Sequence, residues 1–92
     1  MEDSEVSGMD DTYEALLRLA EQCLEVVQGQ SPDDEDDIRT CIDVGEPDIA
    51  ISIALDIAYG NPDLLKRFPK DVIRLTRKAD YPAIQVFADC FE

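Results

Sequence analysis

Glycine and proline cut this chain into pieces that only short helices fit. Gly29, Gly45 and Gly60 are followed, within three residues each, by Pro32, Pro47 and Pro62. Glycine ends a helix because it reaches left-handed backbone cheaply. Proline opens one because the first helical N–H has no partner to lose. Acids follow each proline, in Ser31-Pro32-Asp33-Asp34, Pro47-Asp48 and Asn61-Pro62-Asp63, where they face the positive end of the helix dipole. Pro69 must break whatever helix reaches it, and Pro82 opens a last one.

The intervals carry helical spacing. Over 12–28, Tyr13, Leu16, Leu17, Ala20, Leu24 and Val27 share one face, with Glu14, Arg18, Glu21, Glu25 and Gln28 largely on the other, and Asp11 with Glu14 reads as a capped start. Over 32–44, Ile38, Cys41 and Ile42 form the apolar face. The run Ile49 to Tyr59 is apolar nearly all round and alternates large with small residues, which is also a strand signal. The proline start, the Gly60 stop and the lack of a pairing segment favour a central core helix. Leu64, Leu65 and Phe68 make a short face. A segment over 70–79 sends Val72, Ile73, Leu75 and Thr76 inward and Lys70, Arg74, Arg77 and Lys78 outward. A last helix over 82–91 packs Ile84, Phe87, Ala88 and Phe91. The expectation is an all-α, compact bundle of four to five short helices, one domain over 11–92 behind a disordered acidic tail at 1–10.

At 92 residues and 45% hydrophobic, the chain can build one modest core. No apolar run approaches the ~18–20 residues that span a bilayer, and the acidic start MEDSEVSGMD is neither a signal nor a transit peptide, so the expected location is cytoplasmic. Cys23, Cys41 and Cys90 are odd in number and far apart. With no histidine to join them they read as reduced core thiols, not a metal site.

Charge is divided unequally. Residues 1–48 hold sixteen of the 22 acids against Arg18 and Arg39 alone, which accounts for the whole net charge of −14; residues 49–92 balance six acids with six bases. Such a pole repels nucleic acid and draws basic partners. Catalysis has little to stand on: no histidine, no glycine-rich phosphate loop, no nucleophile with a base beside it. Arg74, Arg77 and Lys78 form one basic patch without interleaved aromatics, which is poor ground for binding nucleic acid.

The run Asp33-Asp34-Glu35-Asp36-Asp37 invites a calcium reading, but an EF-hand loop from Asp33 needs glycine sixth and glutamate twelfth, where this chain has Ile38 and Val44. A solvated helix start and a partner-binding patch remain. Five consecutive acids exceed what the dipole rewards, at roughly 0.3–1 kcal/mol each, while like charges repel. Size and charge also resemble acyl carrier proteins, yet their Asp-Ser-Leu triplet is absent: Ser31 precedes Pro32, and Ser52 lies between isoleucines.

The stretch from Cys41 through Gly45-Glu46-Pro47-Asp48 to Leu55 resembles small acidic bacterial immunity proteins of the MafI-like and contact-dependent-inhibition type, in which a Gly-Glu pair precedes an Ala/Leu/Ile-rich core helix. It covers about a quarter of the chain and departs from that pattern in its Pro47-Asp48 start. The resemblance implies a helical cytosolic inhibitor that binds a cognate toxin domain, frequently a nuclease. Independently, an acidic helical face matches the basic surroundings of a phosphate-binding active site. The contacts are expected at Asp33, Asp34, Glu35, Asp36 and Asp37, with Glu21, Glu25, Asp43, Glu46 and Asp48 as additions. Tyr13 and Tyr59 could serve as anchors, with core packing the favoured role for both. The other reading is an acidic adaptor or regulatory domain, a nucleic-acid mimic that binds a basic cellular protein. The expected state is a monomer without cofactor or metal; the charge opposes self-association through the N-terminal face and leaves the C-terminal half as the one that could dimerise.

Overall fold

Every proline that opens a predicted helix opens an observed one. The computed structural model describes residues 13–78 and 80–91, which are all-α, without a strand among them. The tail at 1–10 and the Asp11 cap lie outside the described residues. The order is α1 (Tyr13–Val27), α2 (Pro32–Asp43), α3 (Pro47–Ala58), α4 (Pro62–Leu65), α5 (Lys70–Leu75), α6 (Pro82–Gln85) and a terminal 3-10 turn (Ala88–Phe91). Gly29, Gly45 and Gly60 all take positive φ, and Gly45 does so in tight surroundings described below. No helix among the described residues is long and apolar enough to cross a membrane.

α3 is the centre, packed against α1, α2, α4 and α6. Its buried residues, Pro47, Ala50, Ile51, Ala54, Leu55 and Ala58, recur with the helical period, so the large–small alternation carried no strand. The Ala50–Ala54–Ala58 line is small enough for neighbouring helices to approach closely. Ile53 and Ile57 pack half-buried against the same core, and the Ser52 hydroxyl is satisfied by donating to the Ile49 carbonyl at 2.6 Å. Truncating Leu55, which is fully buried, would cost about 2–5 kcal/mol.

α1 meets this core through Leu16, Leu19, Ala20, Cys23 and Val27. Its inward stripe is therefore rotated from the expected one: Leu19 and Cys23 are inside, Leu17 and Leu24 are half-buried, and Tyr13 is exposed. The segment expected over 70–79 stops at Leu75 because its end tightens into i→i+3 bonds. The N–H groups of Arg77 and Lys78 donate to Arg74 and Leu75, and the buried Thr76 hydroxyl donates to the Ile73 carbonyl. Arg74 and Lys78, expected outward, are half-buried. The last helix is likewise split. Phe87 donates its N–H to Ile84 and Cys90 to Phe87, while Val86 is exposed and adds little packing to hold a longer helix.

Candidate functional site

The acids after Pro32 do not all do the same thing. In an α-helix, residues three and four apart share a face. Asp33, Asp36, Asp37, Thr40, Asp43 and Val44 fall on one such stripe of α2 and its C-cap, and all are exposed. Arg39 is the only base on α2, and it meets Asp36 at 3.7 Å, a solvent-exposed pair that neutralises little.

Asp34 and Glu35 point away from this stripe. Ser31 is the N-cap of α2, but its side chain caps no backbone group; its hydroxyl donates to Asp34 Oδ2 at 2.8 Å. Glu35 is buried, 7% exposed, and its Oε2 accepts the Gly29 N–H at 2.8 Å. That bond ties the α1–α2 turn to the first turn of α2. A five-acid outward run is thus corrected: Glu35 is an internal fastener, and Asp34 is half-buried and engaged with Ser31. Sequence spacing contains the signal, since Glu35 lies three residues before the core residue Ile38 and so shares its face.

The stripe leads to the α2–α3 corner. Here Glu46 is exposed and Asp48 half-buried. Burial raises the half-buried Cys41 thiol above its usual value, and the nearby carboxylates of Glu46, Asp37 and Asp48 raise it further. Cys41 therefore reports a negative field at this corner, to which both helices contribute. Among these acids stand two exposed apolar side chains, Val44 at 64% and Tyr13 at 53%. Tyr13 comes from the start of α1 and lays its hydroxyl over Gly45: a Cβ built on Gly45 would sit 2.8 Å from it. The favoured core role for Tyr13 does not hold. Val44 was not singled out from the sequence, although its seven-residue spacing from Asp37 puts it on the exposed stripe.

Glu21 and Glu25 lie elsewhere, four residues apart on the exposed side of α1. Glu25 borders a depression shared with Gln22, Val26, Arg67 and Pro69, between α1 and the α4–α5 link. Tyr59 is also exposed, at 70%, not in the core, and it follows α3 at the end opposite the acidic corner. Twelve residues of helix put those ends ~18 Å apart. Among the described residues, no three side chains of His, Cys, Asp or Glu gather closely enough to hold a metal ion.

No family model, curated protein or solved structure matches the chain. What the corner can do must come from its own chemistry. The exposed Tyr13 and Val44 adjoin Gly45, at the junction where the acidic stripe of α2 meets Glu46 and Asp48; an exposed apolar group beside a charged surface is an arrangement that protein-binding patches use. The field would steer a basic surface toward it, and Tyr13 offers a rigid ring against which an arginine can stack.

Proposed function

We propose that this chain is an immunity-type inhibitor: it binds a cognate basic toxin domain, a nuclease by the chemistry of the match, and blocks it without performing catalysis. The observation that carries the reading is the exposed acidic stripe of α2 running into the Tyr13–Val44 corner. A nuclease active site is basic because it holds phosphate, so a rigid carboxylate face can occupy that place and exclude the substrate. Steering by the net charge of −14 gives fast capture, which an inhibitor of a lethal enzyme needs. The Gly45-Glu46 junction before the α3 core helix, on which the resemblance to MafI-like immunity proteins rests, contributes to this same corner.

The test is co-expression. The protein encoded directly upstream is produced in cells with and without this chain, and growth and nucleic-acid integrity are followed. Restored growth, with a complex that copurifies and loosens in high salt, is the predicted result. Toxicity that this chain does not relieve, or no toxicity at all, would defeat the inhibitor reading. Capture of polymerase, histone-like or ribosomal proteins would then favour an acidic adaptor on the same face.

A further inference from the structure

The cations of this chain are gathered as tightly as its acids. Lys66, Arg67, Lys70, Arg74, Arg77 and Lys78 fall within thirteen residues that hold one acid, Asp71. Lys66, Arg67, Lys70 and Arg77 are exposed, and Arg74 and Lys78 are half-buried. Two depressions show how this run lies against α1. Arg67 and Pro69 border one with Gln22, Glu25 and Val26; Asp71 borders the other with Ala15, Arg18, Leu19 and Gln22. From 67 to 71 the chain therefore moves back along α1 until the start of α5 stands beside its first turn, and the exposed Arg18 adds a further cation there. Residues 1–12 join the described chain at that turn. They carry Glu2, Asp3, Glu5, Asp10 and Asp11, and no base.

We propose that residues 2–10 are an intramolecular strap, drawn over the cationic surface formed by Arg18 and the exposed bases of 66–78, and that the strap closes this surface to other anions. Attachment and charge select this occupant. A free acidic partner has to approach a molecule of −14 from solution, whereas the strap is held by its own chain at an effective concentration of roughly millimolar. On the other side of the same turn, the Tyr13 hydroxyl lies over Gly45, where the acidic stripe of α2 arrives and repels the strap. Like charge thus pushes these residues away from α2 and toward the cations. Fully extended, the eight steps from Glu5 to Tyr13 reach about 26–29 Å, whereas Lys70 to Arg77 spans at most ~16 Å even as a 3-10 turn, so length does not limit the contact. The inference is independent of what α2 binds.

A spin label at Val6→Cys, in the full chain with Cys41→Ser and Cys90→Ser, tests the contact through the amide signals that it broadens. At low salt the amides of 70–78 should lose about twofold or more in intensity while those of 42–46 keep theirs, and the loss should vanish in ~1 M salt, where the Debye length is ~3 Å. Lys70→Glu with Arg77→Glu should release the label, as should Asp3→Lys with Glu5→Lys, and all four together should bring it back. Lys70 and Arg77 are exposed, so helicity by circular dichroism should be unchanged. Closure is read with a single-stranded oligonucleotide at low salt. A Glu2→Gln, Asp3→Asn, Glu5→Gln, Asp10→Asn variant should bind it about tenfold or more tightly than an Asp33→Asn, Asp36→Asn, Asp37→Asn, Asp43→Asn variant, which has the same net charge and an intact strap. Broadening that is equal over 42–46 and 70–78, or indifferent to salt, would overturn the inference. So would four reversals that fail to restore the contact, or equal affinities of the two quadruple variants for the oligonucleotide.

Discussion

Replacing Glu35 by alanine should separate the two classes of acid on α2. The wild-type carboxylate is buried and accepts the Gly29 N–H at 2.8 Å. A hydrogen bond to a charged group contributes about 1.5–3 kcal/mol, and its loss leaves a donor in the α1–α2 turn without its partner. The expected destabilisation of Glu35→Ala is therefore about 2 kcal/mol. In a domain of this size, each kcal/mol moves the Tm by roughly 4–8 °C, so a fall of ~8–16 °C should follow. Glu35→Gln keeps an acceptor oxygen and should recover about half of the loss. Asp33→Ala and Asp37→Ala, each two residues away on the opposite, exposed face, should stay within about 0.5 kcal/mol of wild type. Urea unfolding followed by circular dichroism measures all four. A Glu35→Ala variant as stable as Asp33→Ala would refute the assignment of Glu35 to the interior and return it to the outward run.

Two further stability predictions follow from the same geometry. Gly45 has φ +84, and a Cβ there would come 2.8 Å from the Tyr13 hydroxyl, the far end of an exposed side chain that is free to shift; Gly45→Ala should therefore cost mainly the ~1–2 kcal/mol of left-handed strain also expected at Gly29 and Gly60. Urea unfolding of the three Gly→Ala variants checks it, and a markedly larger loss at Gly45 would mean that the Tyr13 ring cannot give way. Burial pushes the Cys23 thiol up to about 12, from an ordinary 9.0. Because the native thiol stays protonated where the unfolded one ionises, its contribution is complete below pH 9 and falls as pH rises toward 12, by ~4 kcal/mol over three units. Cys23→Ala should show a correspondingly flatter loss of stability across that range, and parallel curves would count against the buried thiol. In native protein, Cys23 should also resist alkylation under conditions where the half-buried Cys41 and Cys90 react.

The helices were legible because their boundaries are chemical. Glycine and proline act through local backbone geometry, which needs no knowledge of neighbours, and α1 to α3 begin and end within a residue or so of where that punctuation puts them. What failed to show were properties set by packing. The inward stripe of α1 turned on which side α3 presents, so Leu19 and Cys23 went in and Tyr13 stayed out. The last two segments were read as continuous because nothing local forbids helix there; their ends tighten into i→i+3 bonds. At the candidate site, the spacing of Asp33, Asp36, Asp37 and Asp43 already described one face, whereas treating Asp33 to Asp37 as a block hid the inward turn of Glu35. The corner itself needed the fold: Tyr13 and Gly45 are far apart in the chain, and no sequence pattern brings them together.

The most direct test of the binding face compares the rates at which wild type and an Asp33→Asn, Asp36→Asn, Asp37→Asn, Asp43→Asn variant associate with the captured partner, from low to physiological salt. If the stripe steers association, the wild-type rate is high and falls steeply as salt screens charges beyond a Debye length of ~8–10 Å, while the variant is at least tenfold slower and nearly flat. Equal rates with equal salt dependence would mean that the partner docks elsewhere, and that the exposed acids of the α2 stripe serve solubility alone.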